Sequence, residues 1–255
     1  MSKSRSHASA VLCGIHAVEG ALKSGHRGLA EIVHERSGGN PRLNAVLSRA
    51  SNAGVRLQQA SKDVLDQLAG GVRHQGIVGL LTRAPTLGLA EFKDWLRDCS
   101  PNATMMILDG LEDPRNLGSC LRSAAAASVD AVVLPAHEGA GLTPAALRVA
   151  AGGIHHLNIF ELGNWSQTLG QIKAAGFWLM GASEQAERSI FEFDLRGRTA
   201  WVFGSEGGGV RPLTAQHCDA LLKIPTIEKF PSLNVAVAAG VALFETLRQK
   251  RSIST

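Results

Sequence analysis

The sequence predicts an α/β protein with a small first domain and a larger second domain built on a parallel sheet. Helix-like and strand-like segments alternate along all 255 residues, which is typical of α/β architecture. In the second part, several strand-like segments are near-continuous apolar runs, as expected of strands covered on both faces. We expect a domain at residues 1–84, a linker at 85–101 and a second domain at 102–255.

The first domain is expected to alternate three helices with three strands. The second helix starts with proline, carries apolar residues at helical spacing and ends in Asn-Ala-Gly. The third helix starts at a serine suited to capping. The predicted elements are, in order, helix "GIHAVEGALKSG", strand "LAEIVHE", helix "PRLNAVLSRASNAG", strand "VRLQQA", helix "SKDVLDQLAGG" and strand "QGIVGLLT". The linker that follows holds an amphipathic helix between two prolines.

The second domain repeats strand and helix more strictly, which predicts an open sheet. Ligands of such sheets lie beyond the carboxyl ends of the strands. The predicted strands are "TMMILDG", "DAVVLP", "HLNIFEL", "FWLMGA", "TAWVFGSE" and "LLKIP". The predicted helices between them are "NLGSCLRSAAAAS", "TPAALRVAAGG", "NWSQTLGQIKAAG" and "RPLTAQHCDAL", followed by a last helix near residue 232.

Composition excludes several classes of protein. The longest apolar run, residues 235–244, is too short for a bilayer, which needs about 20 residues. The amino-terminal segment has no signal-peptide pattern, so we expect a cytoplasmic protein without a membrane partner. The four cysteines are far apart, without CxxC or HExxH, and we expect free thiols and no metal site.

The charge is distributed unevenly. Residues 1–84 hold 11 Lys and Arg against 5 Asp and Glu, whereas residues 85–255 hold 15 against 17. The first domain is therefore the part suited to a polyanion such as RNA. It lacks aromatic residues, which disfavours base stacking and favours phosphate contacts and shape recognition. A basic surface that serves only solubility is the alternative.

The first unusual strand end is "LDGLEDPRNLGSCLRSAAAAS", residues 108–128. Asn116 is expected to cap the following helix. Gly118 precedes Arg122 by one turn and would leave room beside the guanidinium, which suits bidentate binding of a phosphate. A plain cap and a surface salt bridge are the alternative.

The second unusual strand end is "WVFGSEGGGVRPL", residues 201–213, where four glycines surround Glu206. Such a loop lets backbone approach another group closely. The spacing fits neither GxGxxG nor GxxxxGK[ST], which disfavours a nicotinamide-dependent oxidoreductase and a P-loop enzyme. A flexible surface turn is the alternative.

The third is "LLKIPTIEKFPSLNVAVAAG", residues 221–240. Ser232 is expected to cap the last helix, with Asn234 in its first turn among free N–H groups. The helix is apolar on every side until Glu245, so it needs cover on several sides, which a subunit interface would supply.

These stretches, in this order, resemble the three motifs of the SpoU (TrmH-type) branch of the SPOUT RNA methyltransferases. "DPRNLGSCLRSA" resembles motif 1, "FGSEGGGV" motif 2 and "IPTIEKFPSLNVAVAAG" motif 3. "GIHAVEGAL" and "HQGIV" resemble the ribosomal-protein-like substrate domain of the bacterial enzymes that 2′-O-methylate a guanosine in the peptidyl-transferase loop of 23S ribosomal RNA. The resemblance covers nearly the whole chain.

The resemblance implies an α/β trefoil knot at 102–255, a homodimer built on the knot helices, and S-adenosylmethionine as cofactor. It assigns cofactor contacts to Gly204, Ile224 and Leu233. It assigns the catalytic cluster to Asn116, Arg122, Glu206, Ser232 and Asn234. The chain departs from motif 3 at Thr226, Glu228 and Ala236, where Met, Gly and Ser are usual, and Glu228 adds a carboxylate to the cofactor loop.

The implied reaction moves a methyl group from a sulfonium to a ribose 2′-hydroxyl of 23S ribosomal RNA. A guanidinium stays protonated, so we expect Arg122 to hold the target phosphate rather than act as base. Asn116 and Asn234 would orient the ribose and backbone, and Glu206 would fix the arginine or the glycine loop. Methylation of transfer RNA and a non-catalytic RNA-binding protein of the same fold remain alternatives.

Overall fold

The computed structural model describes residues 10–23, 28–36, 39–81, 86–227, 229 and 232–252. The chain divides into two compact units. The first holds the described residues up to Leu81 together with Leu142–His156, and the second holds Thr86–Gly141 and the described residues from Leu157 onward.

The first unit is a four-stranded sheet with helices. The order of the strands is β1-β4-β2-β3, with β2 and β3 parallel and the other pairs antiparallel. Strand β1 was not predicted. The elements are β1 (Ala10–Cys13), α1 (Ile15–Lys23), β2 (Leu29–His34), α2 (Pro41–Asn52), β3 (Arg56–Gln59), α3 (Lys62–Ala69), β4 (Ile77–Leu81) and α6 (Pro144–Val149).

The predicted alternation in the first unit is confirmed, and local signals explain its helices. Asn40 caps α2, its side chain accepting from the N–H groups of Arg42 and Leu43. Helix α3 ends at Gly70, whose φ of 58° is the left-handed conformation favoured at helix ends. Helices cover both faces of the sheet, and Val18 of α1 and Leu65 of α3 are fully buried as a result.

The second unit is a seven-stranded sheet whose strand pairs are all parallel, in the order β7-β6-β5-β10-β8-β11-β9. This confirms the predicted parallel sheet. Its strands are β5 (Thr104–Asp109), β6 (Ala131–Pro135), β7 (Asn158–Leu162), β8 (Trp178–Ala182), β9 (Arg188–Ser189), β10 (Thr199–Gly204) and β11 (Ala220–Lys223). Its helices are α4 (Leu89–Asp98), α5 (Pro114–Ala126), α7 (Trp165–Ala174), α8 (Pro212–His217) and α9 (Val235–Arg251).

The second unit has a continuous apolar core, as the strand sequences require. All six residues of β5 and of β10 are buried, including Trp201. Helix α4, predicted as the amphipathic helix of the linker, buries Phe92 and Leu96 in this core. The functional division at residues 84 and 102 stays a prediction.

Candidate active site and cofactor cleft

The first two motifs begin side by side. In the pairing of β5 with β10, Asp109 lies opposite Gly204, and these are the last residues of the two strands. Because the strands are parallel, the chain leaves both at the same edge of the sheet. The loops carrying Asn116 and Glu206 therefore start from neighbouring points.

Helix α5 starts earlier than predicted, so the expectation that Asn116 caps it was wrong. Pro114 occupies the first helical position, and the Asp113 side chain accepts from the N–H of Arg115 at 2.8 Å. Asp113 is the cap. Asn116 lies in the first turn, where its side chain is available for contacts outside the helix.

The cap of α9 also differs from the prediction, which assigned it to Ser232. Asn234 is the cap, and its Oδ1 accepts from the N–H of Ala236 at 2.9 Å. This bond fixes the orientation of the Asn234 amide, so that its Nδ2 is left to donate elsewhere.

The three motifs meet in a cluster of Asn116, Glu206 and Asn234, hereafter the Asn–Glu–Asn cluster. Asn116 Nδ2 donates to Glu206 Oε1 at 2.7 Å. Asn234 Nδ2 donates to Glu206 Oε1 at 2.8 Å and to Asn116 Oδ1 at 3.1 Å. Glu206 thus holds two asparagine side chains, whereas it was expected to fix the arginine or the glycine loop.

The glycine-rich loop is a tight turn closed on itself by backbone hydrogen bonds. Ser205 and Gly209 exchange backbone hydrogen bonds of 3.1 and 3.0 Å. A Cβ on Gly204 would lie 1.8 Å from the carbonyl oxygen of Gly209, so any larger residue at 204 would open the loop. Gly207 and Gly209 have φ of 83° and 63°, which glycine adopts without strain. The loop therefore presents Glu206 from a fixed backbone.

A cleft of about 710 Å³ lies beside this loop. The predicted cofactor residues Gly204, Ile224 and Leu233 all line it. Glu206, Ser232 and Asn234 line it too, so the cleft reaches the Asn–Glu–Asn cluster. Its volume is within the range of roughly 300–1,000 Å³ that accommodates drug-sized ligands.

The lining of the cleft suits S-adenosylmethionine. Among the described lining residues the only charged side chains are two carboxylates, Glu184 and Glu206, which favour a ligand carrying sulfonium and ammonium charges. The Leu233 side chain, 39% exposed, offers an apolar surface for a ring. The N–H groups of Ile224 and Leu233 donate to no other described residue and are available to a ligand.

Arg122 is not part of the Asn–Glu–Asn cluster within one chain. Its side chain is exposed on α5 and forms no hydrogen bond or ion pair with the residues that the structure describes. The alternative of a surface salt bridge therefore finds no partner among them. One turn earlier, Gly118 is buried.

Cys120, also on α5, is a fully buried thiol. Burial, and secondarily the nearby Glu206 carboxylate, raises the pKa of Cys120 to about 12. Thiolate chemistry at this position is thereby suppressed near neutral pH.

Sequence reasoning missed an ion pair between Asp109, which precedes the first motif, and Arg211, which directly follows the second. Asp109 is 0% exposed at the end of β5. Arg211 donates to it from the backbone N at 3.1 Å and from Nε at 2.7 Å, and its Nη2 contacts the same carboxylate. Nη1 of Arg211 contacts Glu138. The sequence did contain a signal for this pair, because Asp109 ends an apolar strand and a carboxylate buried there requires a charged or hydrogen-bonding partner.

The departures in motif 3 are only partly visible. Thr226 is exposed, and Ala236 lies in the first turn of α9, where Asn234 caps its N–H. Glu228 lies outside the described residues.

Among the described residues, no group of three or more His, Cys, Asp or Glu is placed to hold a metal ion. None of the helices described is long and apolar enough to span a membrane.

Comparison with family models accounts for most of the chain. A model described as "SpoU rRNA Methylase family" matches residues 103–244. A second, described as "RNA 2'-O ribose methyltransferase substrate binding", matches residues 11–87. The chain is also 39% identical over 242 residues to the 23S rRNA (guanosine-2'-O-)-methyltransferase RlmB of Bordetella pertussis, covering 94% of this chain and 98% of that protein.

Solved structures show the same fold. The SpoU methyltransferase AviRb from Streptomyces viridochromogenes, in complex with AdoMet, superposes with a TM-score of 0.81 at 20% identity, over 96% of this chain and 91% of that one. An RNA 2'-O ribose methyltransferase superposes with a TM-score of 0.75 at 29% identity, over 94% and 88%. The predicted fold class, a SPOUT trefoil-knot domain with a small amino-terminal α/β domain, is confirmed.

Proposed function

The chain belongs to the SpoU rRNA methylase family, and on that premise we propose that it methylates the ribose 2′-hydroxyl of a guanosine in 23S ribosomal RNA, with S-adenosylmethionine as the methyl donor. The observation that carries the proposal is the meeting of all three motifs in the Asn–Glu–Asn cluster, directly beside a cleft whose charged lining is acidic. The named activity of the 39% identical relative specifies the substrate.

The cleft would hold the cofactor mainly by backbone. The free N–H groups of Ile224 and Leu233 would bind the adenine base of the cofactor, and the Gly204 backbone would pack against the cofactor. Bound S-adenosylmethionine supplies a methyl group on a positively charged sulfur. The Glu206 carboxylate lines the cleft and belongs to the cluster, so it would attract that charge and hold the sulfonium close to the cluster.

The chain's own residues would align the ribose 2′-hydroxyl, which is the nucleophile, and assist the loss of its proton. Asn116 keeps one N–H beyond its bond to Glu206, and this group would orient the ribose. Arg122, permanently protonated, would bind the phosphate of the target nucleotide, which accepts or relays the hydroxyl proton. Alignment is the larger contribution, since a well-oriented bimolecular step gains roughly 7–11 kcal/mol.

Residues 1–84 would bind the RNA, and 102–255 would carry out methyl transfer, with 85–101 between them. The excess of Lys and Arg in the first segment and its match to a substrate-binding model both support this division. Because ribosomal RNA is a cytoplasmic substrate in bacteria, the protein would act in the cytoplasm.

A homodimer through α9 completes the proposal. Val237 and Phe244 are 52% and 48% exposed on this helix, and Val241 lies between them at helical spacing. An exposed apolar stripe on a helix otherwise packed against α5 needs a partner surface. Arg122, on α5, would then be presented to the cluster of the partner subunit.

The experiment is transfer of labelled methyl from S-adenosylmethionine to unmodified 23S ribosomal RNA, with the modified ribose mapped by resistance to alkaline cleavage. We expect label at one guanosine, and none with the Glu206→Ala variant. Label in transfer RNA instead would refute the substrate while keeping the reaction. Binding of S-adenosylmethionine with no label in any RNA would support the non-catalytic alternative.

A further inference from the structure

A second, smaller cavity lies at the same edge of the large sheet, beyond the carboxyl ends of β6 and β7. Its volume is about 200 Å³, below the roughly 300–1,000 Å³ typical of pockets for drug-sized ligands. It is therefore suited to a single ring system. We call it the Trp165 pocket, and its main lining residues are Pro135, His137, Glu138, Trp165, Arg211 and Leu213.

The wall that carries His137 and Glu138 is held in place by backbone packing. Ala140 N donates to the carbonyl oxygen of Leu111 at 2.5 Å. Gly139 has a φ of 91°, and a Cβ there would lie 2.6 Å from the same oxygen, so only glycine fits. The pocket wall is thus tied to the loop that follows β5, which leads to Asn116.

The aromatic wall is equally fixed. Trp165 Nε1 donates to Thr214 Oγ1 at 3.0 Å, and Thr214 is 0% exposed. The guanidinium carbon of Arg211 lies 5.7 Å from the centre of the Trp165 ring. The guanidinium lies over the indole, and unstacked RNA bases stack on arginine guanidinium planes as well as on aromatic rings.

The polar group of the pocket is an oriented carboxylate. Glu138 is 59% exposed, and one of its oxygens contacts Arg211, which Asp109 holds from the other side. A carboxylate has about four acceptor sites, so Glu138 keeps acceptor capacity for a ligand. Guanine is the base that offers two adjacent donors, N1–H and the 2-amino group, to a carboxylate, whereas adenine has an acceptor at N1.

We propose that the Trp165 pocket receives the guanine base of the nucleotide that is methylated, with Glu138 accepting from N1–H and the 2-amino group. Arg211 follows Glu206 by five residues and forms part of the pocket, so the pocket and the Asn–Glu–Asn cluster flank the same loop. This inference rests on the proposed function and adds the residue that selects the base.

The test compares RNA fragments whose target nucleotide is guanosine or inosine, which differ only in the 2-amino group. Inosine keeps N1–H and loses only the second of the two bonds to Glu138. One hydrogen bond to a charged group is worth about 1.5–3 kcal/mol, so we expect wild-type kcat/KM to fall roughly 10- to 150-fold with inosine. In Glu138→Gln, which cannot accept both donors equally, the ratio of guanosine to inosine should approach one. Glu192→Gln, an exposed substitution outside the pocket, should keep the wild-type ratio.

The ratio separates base recognition from a structural effect, because a general loss of activity lowers both substrates alike. A Glu138→Gln variant that still discriminates as the wild type does would overturn the proposal. Equilibrium binding of the two RNAs to wild type and variant, measured without cofactor, gives a second readout. If the wild type methylates neither RNA, the proposed function fails. Binding then tests guanine recognition by the Trp165 pocket on its own, and equal affinities of the wild type for both RNAs would refute that recognition.

Discussion

The amide nitrogen of Asn234 lies 2.8 Å from Oε1 of Glu206, while the oxygen of the same amide caps helix α9. One side chain therefore starts the helix and completes the Asn–Glu–Asn cluster. The two roles use different atoms, so substitution can separate them.

Asn234→Asp should keep the cap and lose the cluster. Aspartate caps helices as well as asparagine does, but its second oxygen would face two acceptors, Glu206 Oε1 and Asn116 Oδ1. Asn234→Ala should lose both and lower the free energy of unfolding by about 1 kcal/mol. Denaturant unfolding and methyl transfer, measured together, check this. An aspartate variant with wild-type turnover would contradict it.

Breaking the Asp109–Arg211 pair should destabilise the second unit. Asp109→Asn removes the charge of the buried carboxylate that Arg211 contacts, and we expect the free energy of unfolding to fall by about 2 kcal/mol. The matched control is Asp194→Asn, which breaks an exposed pair with Arg196 and should change stability little. Equal losses in the two variants would show that burial of Asp109 is energetically unimportant.

Mixing two inactive variants should restore activity if Arg122 serves the partner's cluster. Arg122→Ala and Asn234→Ala would each be inactive alone. In a heterodimer one site has both residues, so a random mixture should recover about a quarter of wild-type activity. Methyl transfer after joint refolding is the measurement. Recovery at background level, with heterodimers present, would place Arg122 in its own subunit's site.

Acid should remove a contribution made by Glu245. Hydrogen bonds from Arg248, and secondarily from Gln249, hold the pKa of this nearly buried carboxyl below its usual 4.5. The folded state then releases the proton more readily than the unfolded state. Its stabilising contribution is present above pH 4.5 and is lost as pH falls through the folded pKa.

The comparison of wild type with Glu245→Gln isolates this effect from other carboxylates. We expect wild type to unfold at a higher temperature near neutral pH and the difference to shrink below about pH 4.5. A difference in Tm that is constant from neutral to acid pH would show that the charge of Glu245 does not contribute.

Sequence patterns predicted the order of elements and the parallel sheet because apolar periodicity depends on neighbours along the chain. They failed where several residues competed locally. Each of two helices has two residues that could cap it: Asp113 or Asn116 for α5, and Ser232 or Asn234 for α9. The residue at which the helix begins decides which of the two is the cap, and local sequence does not fix that residue. The two-residue strand β9 is too short to leave a pattern.

Pairings across long stretches of chain were beyond local patterns. Strand β10 inserts between β5 and β8, and Asp109 meets Arg211 102 residues later. Motif order along the chain indicated that three loops share a site, but not that Glu206 would be bound by two asparagines. That arrangement depends on which side chain lies within 3 Å of another, which sequence spacing does not determine.

The hydrogen bonds of the Asn–Glu–Asn cluster join residues 90 and 118 positions apart in the chain. Contacts between such distant residues pay the entropy of closing long loops and form late in folding. No partly folded chain lacking α9 or β10 in place can hold all three side chains together. Methyl transfer is therefore a reporter of completed folding, and its recovery after dilution from denaturant should lag behind the recovery of helical signal.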